Sequence, residues 1–448
     1  MVPKKALQVP SVCFLMFISS SLLAGTWYVD GSVPKPGDGT SWEKALRNIQ
    51  AGIDKAANGD TVIVAQGKYV ENINFGGKNI VLRSTAPTNW GVVRSTVIDG
   101  NQAGSVVTFA GTEDETCAIC GFTIQNGSGT PFSSPAGGTS LGGGGIYGGF
   151  WSGPHTRATL ENNIVAGNTA QDGGGIIACD GLIQNSLIVG NAAGHADTKW
   201  HGGGIFYSHG IIQNNLVAGN SGGCGGGMSH CNAVLRNNIV VGNSGTVEGG
   251  GISHLGRAYQ GPAGGSMTNC IVWGNTCGSR PEMTDDCVAP TYSCIKDWTS
   301  GGLGNMSGNP RFVDPDGPDD DPNTFEDNDY RLLLTSPCVD AGINEDWMNG
   351  AVDLDGNPRI LLGATSITVD IGAYEYRFDL AIGRDVESVQ LSWTMRPQTR
   401  YTVLSSLDMM LQPWVEETTV LGGKTGGPAV WADPSASSAL KLYKIGIE

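Results

Sequence analysis

The sequence predicts an all-β chain: a right-handed parallel β-helix (a solenoid) with an N-terminal capping helix and a small C-terminal β-sandwich. Three observations lead there. Glycine supplies 69 of 448 residues and charged residues only 15%; because glycine costs about 1 kcal/mol per helical position relative to alanine, a long helical bundle is disfavoured. The glycines come in clusters such as Gly142 to Gly145, which excludes collagen, and a 40% hydrophobic content argues against disorder. Two short elements also alternate along residues 142 to 275 with the period of a solenoid.

The first element is a glycine run followed by an apolar residue: Gly143-Gly144-Gly145-Ile146, then versions ending at Ile176, Ile205, Met228 and Ile252. The second opens on asparagine and closes on Gly-Asn, as in Asn162-Asn163-Ile164-Val165-Ala166-Gly167-Asn168. Its later copies end at Asn191, Asn220, Asn243 and Asn275, with successive spacings of 23, 29, 23 and 32 residues. Between them lie short β-branched runs such as Ile239-Val240-Val241, and no segment has the length or period of a helix. A coil of three strands and three turns needs roughly 22 residues, and insertions at turns lengthen it. Glycine and asparagine suit sharp left-handed corners. The column Asn162, Asn185, Asn214, Asn237 and Asn269 is then expected to stack at the ~4.8 Å strand spacing, each amide bonding the next.

Ahead of the repeats, Lys4 and Lys5 precede an apolar stretch from Val12 to Ala24, which reads as a cleaved signal peptide over residues 1–24, too short to span a bilayer comfortably. The expectation is a secreted or cell-surface protein with no transmembrane segment in the mature chain. The formal charge of −16 becomes −18 once the two lysines leave, which disfavours nucleic acid and anionic membranes. Of eleven cysteines, Cys13 lies in the leader. Cys277 with Cys287 could close a loop, while Cys117 and Cys120 have redox spacing without the helix such a motif needs. Residues 40–57 read as the capping helix, with Thr40 as N-cap and Glu43 closing a capping box.

At this point the chain resembles known families. The repeats resemble those of right-handed parallel β-helix proteins, and the Gly-Gly-x-Ile and Asn-rich alternation is similar to that of chlamydial polymorphic membrane proteins. The entry segment Gly59-Asp60-Thr61-Val62-Ile63-Val64-Ala65-Gln66-Gly67-Lys68-Tyr69 resembles the opening coil of the pectate-lyase-like superfamily. Downstream, Asn309-Pro310-Arg311-Phe312-Val313-Asp314, Ser336-Pro337-Cys338-Val339-Asp340-Ala341-Gly342 and Asp370-Ile371-Gly372-Ala373-Tyr374-Glu375 resemble the choice-of-anchor Q domain. The domains expected are the β-helix over 25–312, a choice-of-anchor Q type cap over 313–377 and a fibronectin-like β-sandwich over 378–448. These resemblances imply an architecture and almost no chemistry.

Chemistry has three candidate locations. Aligning each glycine run on its apolar residue places Tyr207, His230 and His254 two positions further on in successive coils, with Asp180 and His209 four positions on. Such a group could supply general acid and base near neutral pH. Strict alternation instead points His230 and His254 into the core. Insertions carrying Trp151, Trp200 and Tyr259 offer aromatic platforms for sugar rings, or cover for the solenoid flank. Asp314 and Asp316, with Asp319 to Asp321, and the Asp353-Leu354-Asp355-Gly356-Asn357 loop are candidate calcium ligands, though neither completes an EF-hand. No spacing ties Arg157, Arg236 or Arg257 to aspartates as a pectate-lyase-like eliminase would want.

The reading is an exported cell-surface or extracellular β-helix protein that binds polysaccharide or cell-surface glycan, or is adhesive. The alternative is a polysaccharide lyase or glycoside hydrolase.

Overall fold

The computed structural model describes residues 24–133, 137–149, 153–194, 202–256, 264–278, 280, 282–321, 324–325, 327–360 and 368–376, with six strands between 381 and 447. Four stacked sheets make the solenoid. The first face has nine strands, from Thr26–Val29 to Ser266–Thr268, and the second has nine, from Gly67–Val70 to Cys294–Ile295. The third has seven, from Ile73–Asn74 to Ile252–Ser253, and a short fourth has four, from Thr169–Ala170 to Ser244–Glu248. Strands from successive coils pair in parallel on every face, the arrangement of a right-handed parallel β-helix. The register follows the glycine runs: Ile146, Ile176, Ile205, Met228 and Ile252 lie side by side on the third face.

Each of the first three faces sends one apolar column inward. Leu160, Ile183, Ile212 and Leu235 come from the first face, Val165, Ile188, Val217 and Val240 from the second, and all belong to one continuous core. Burying a Leu, Ile or Val side chain contributes about 1.5–3 kcal/mol, so stacking coils accumulates stability along the axis.

The asparagines divide the work differently from the expected column. Asn162, Asn185, Asn214, Asn237 and Asn269 all have positive φ, between 49° and 54°, and form the left-handed corner between the first and second faces. They do not make the continuous ladder. That role falls to the closing asparagines, because there the amide points inward. Asn168, Asn191, Asn220 and Asn243 each donate from both the backbone N–H and Nδ2 to Oδ1 of the next asparagine, at 2.9–3.1 Å. Each also donates to a carbonyl of the preceding coil. The row ends on Glu282, whose carboxylate takes Nδ2 of Asn275 at 2.7 Å. A second, mixed row runs from Asn163 through Ser186, Asn215 and Asn238 to Cys270 and Ser293.

The corner asparagines instead hold the segment that follows the solenoid. Asn214 donates to Val352 O and accepts from Arg359, Asn237 reaches Asp370 O and Gly372 O, and Asn269 donates to Ile343 O. This segment lies along the outside of the second face. Leu354, Ile371 and Ala373 share an apolar cluster with Leu216, Ile239 and Ile271 there, which explains why second-face strands are apolar on both sides.

At the entry, the expected helix is divided. A 3-10 turn spans Trp42–Lys44 and an α-helix spans Ile49–Lys55, with Asn48 at its N-cap. Thr40 caps neither; it bonds Asp38. The helix N-terminus is satisfied from a distance, by the Glu71 carboxylate accepting from the N–H groups of Ile49 and Gln50. Ile49 and Ile53 bury against the first coils. Toward the C-terminus, Ala381–Arg384, Val389–Met395 and Gly427–Ala432 form one antiparallel sheet, and Arg400–Ser406, Val415–Leu421 and Leu442–Ile447 another. These are the two sheets expected of a small β-sandwich.

Among the described residues no helix is long and apolar enough to cross a membrane; the expected signal peptide lies outside them but for residue 24. Cys277 and Cys287 are both thiols, so the loop they could close is open. Burial pushes the Cys117 and Cys120 thiols up to about 12, which makes them inert gap-fillers.

Candidate functional site

In four successive coils the chain leaves the third face through a second left-handed corner. Ala178, Tyr207, His230 and His254 occupy it with φ of 55°, 51°, 53° and 54°. Positive φ breaks the strand alternation, so these side chains do not enter the main core as strict alternation requires. Tyr207 joins a satellite cluster with Phe132, Tyr147, Ile177, Ala178 and Phe206. His230 stacks on His254, ring centroids 4.3 Å apart and planes 14° from parallel. His254 Nε2 lies 3.5 Å from Glu248 and 3.4 Å from Asp286, and Ser229 bonds His230 Nδ1 at 2.8 Å. His230 and His254 are only 4% and 6% exposed. That burial leaves the pair little surface to offer a ligand.

The neighbouring column is more open. Asp180 Oδ1 accepts the backbone N–H of His209 at 2.8 Å, and Oδ2 lies 3.0 Å from His155 Nδ1. One ligand atom each from His155, Asp180 and His209 falls within 4.8 Å of the others. Tyr207 sits edge-on to both rings, at centroid distances of 5.3 Å from His155 and 4.5 Å from His209. Burial alone would raise Asp180, but its hydrogen bond to His155 and the nearby imidazoles hold it below the ordinary carboxylate value. Burial lowers His209, with the His155 charge acting the same way against Asp180, and so favours the neutral ring.

The structure thus brings Asp180, His209 and Tyr207 together and adds His155. Sequence alignment of the coils missed His155 because it lies in an insertion, outside the repeat. An antiparallel bridge from Gly149 to His155 and a parallel one from Thr156 to Cys179 fold that insertion back over Asp180. Trp151, Trp200 and Tyr259 lie outside the described residues.

The acidic loops have other tasks. Asp353 is buried and accepts four N–H donors, from Asp355, Asn357 (backbone and Nδ2) and Glu375. Asp355 makes a two-pronged pair with Arg331. These oxygens tie the turn to its surroundings. Burial and the neighbouring carboxylates, Asp316 first, raise Asp314.

A second location has no counterpart among the sequence candidates. A cavity of about 460 Å³ opens beside the hairpin Thr130–Ser133 and Thr139–Gly142, lined by Asn72, Gln102, Ser105, Thr108, Ser128 and Thr130 with Ala103, Pro131 and Leu141. Thr130 bonds Ser105, and Ser105 donates to Gly142 O, so the wall is braced internally. None of its lining side chains is charged. Its residues come from irregular early coils and a hairpin, where no repeat marks them.

No protein-family model matches the chain, and no curated protein matches it. Among solved structures, pectate lyase Pel9A is similar at 14% identity and a TM-score of 0.41, covering 80% of this chain and 98% of that one. Pectin methylesterase PemA from Erwinia chrysanthemi is similar at 11% identity and a TM-score of 0.25, covering 64% and 70%. A mutant pectin methylesterase in complex with a hexasaccharide gives 11%, 0.25, 63% and 74%.

Proposed function

We propose that this chain is an exported extracellular or cell-surface β-helix protein that binds polysaccharide, with the cavity beside residues 130–142 as its glycan site. The carrying observation is the chemistry of that cavity. Amide and hydroxyl side chains alternate with Ala103, Pro131 and Leu141, which suits the hydroxyls and apolar faces of sugar rings. An uncharged lining on a chain of formal charge −16 favours a neutral glycan over a polyuronate, which the protein's field repels. Glycan-array screening followed by calorimetry with the best oligosaccharide tests this. Gln102→Gly suits the residue's φ of 57°, and together with Ser128→Ala it should weaken binding at least about 10-fold, the loss of roughly 1.4 kcal/mol, without lowering the melting temperature. Unchanged affinity in that double variant contradicts the site.

A second reading, a polysaccharide lyase or glycoside hydrolase, is favoured by one observation. Asp180 orients His155 as a carboxylate orients a general base. Release of reducing ends or unsaturated products by the full chain, lost in His155→Gln, would favour it over pure binding.

A further inference from the structure

We propose that His155, Asp180 and His209 bind one divalent transition-metal ion of the zinc class. The argument begins with ligand type. Two imidazoles and one carboxylate suit zinc and its neighbours, whereas calcium and magnesium take oxygen ligands. The ion inferred here therefore differs in kind and place from the calcium expected at the aspartate loops.

Geometry is the second step. The three ligand atoms lie within 4.8 Å of one another. The 3.0 Å between His155 Nδ1 and Asp180 Oδ2 is within a few tenths of an ångström of the ~3.4 Å that separates two tetrahedral ligands each about 2.0–2.2 Å from one ion. Three protein ligands leave a fourth position for water or a ligand oxygen. The His155 side chain is 8% exposed and Asp180 28%, so the carboxylate is the side from which an ion enters.

Two hydrogen bonds oppose loading and make the inference sharper: the proton between His155 Nδ1 and Asp180 Oδ2 must leave before both atoms ligate, and a second bond holds His209. The N–H of Asn232 donates to His209 Nδ1 at 3.0 Å, which keeps the proton of the neutral ring on Nε2. Ligation through either nitrogen must displace the Asn232 N–H, because the ring then turns over or carries its proton on Nδ1. Zinc binding is thus coupled to the release of one backbone amide in the next coil.

The experiment uses the full, tag-free chain, stripped with EDTA and dialysed, titrated with zinc chloride by calorimetry and followed by amide exchange. The expected result is one zinc per chain, no comparable calcium binding, and faster exchange at Asn232 on loading. Asp180→Asn keeps the acceptor for His209 N–H while removing the charge, and should weaken binding at least about 10- to 100-fold, as should His155→Asn. His254→Asn, outside the three ligands, should leave affinity unchanged. Thermal melts establish that each variant is folded, and Asp180→Asn decides where a histidine variant is not. Absence of zinc binding, affinity indifferent to Asp180→Asn, or affinity that falls with His254→Asn instead would overturn the proposal. None of these outcomes depends on glycan binding.

Discussion

The two left-handed corners of the solenoid solve one backbone problem with different residues. Between the first and second faces, all five positions from Asn162 to Asn269 in the repeat are asparagine, the non-glycine residue most at ease there. Between the third and first faces, Ala178, Tyr207, His230 and His254 take the same conformation, at a cost of about 1–3 kcal/mol for residues poorly suited to it. Uniform asparagine marks a surface whose neighbour is fixed, since it docks the segment around Val352 and Gly372. The imidazole corner carries a residue type that changes coil by coil, beside three partly exposed carboxylates, Asp180, Glu248 and Asp286. Strain kept where stacking does not demand it directs attention to ligand chemistry.

The largest expected effect tests the structural side of this contrast. Asn220→Leu leaves the Asn191 N–H and Nδ2 without their acceptor and the Asn243 Oδ1 short of a donor. At about 1–3 kcal/mol per orphaned buried group, chemical denaturation should show a loss of about 3–6 kcal/mol. Asn214→Gly, which suits that residue's φ of 54°, should cost less and act elsewhere, by releasing Arg359 and Val352. Equal losses in the two variants would erase the distinction between ladder and corner.

A smaller effect sits at the end of the ladder. Burial raises Glu282 to about 7, despite donors from Asn275 and Gly274. A carboxylate raised in the folded state binds its proton more tightly there than in the unfolded chain. Its contribution is therefore complete below the unfolded value near 4.5 and is lost as pH rises through about 7. Stability should fall over that window by no more than about 3.4 kcal/mol, at 1.36 kcal/mol per pKa unit, and Glu282→Gln should flatten the fall. A steeper or equal slope in that variant would assign the pH dependence to other groups.

The smallest effects come from exchanging corner residues. His254→Asn gives up the stack on His230 and the contacts to Glu248 and Asp286 but gains a better left-handed residue. Its stability should stay within about 1 kcal/mol of the parent. Asn237→His loses bonds to Asp370 O and Gly372 O and takes on the strain, so denaturation should register about 2 kcal/mol. Matching costs would mean that the corners are equivalent.

Much of the fold was legible because a solenoid writes its geometry into spacing. The glycine-run residues Ile146 to Ile252 pair in the register their alignment implies. The asparagine ladder was displaced from its expected column because two asparagine rows share one motif, and only φ tells the corner residue from the inward one. Thr40 failed as a helix cap because the acceptor is Glu71, 22 residues beyond Ile49, and non-local caps leave no local signature. At the site, coil alignment placed Asp180 beside His209 correctly. It could not supply His155, which arrives on an insertion, or the cavity beside residues 130–142, which precedes the regular repeats.

The claim that His155, Asp180 and His209, beside the imidazole corner, form a ligand site is tested most directly by crystals of the full chain grown with zinc chloride and measured at the zinc absorption edge. The account predicts one strong anomalous peak bonded to His155, Asp180 and His209, with the Asn232 N–H withdrawn from His209. A peak at His254, Glu248 and Asp286 instead, or none at either place in a zinc-soaked crystal, would contradict it.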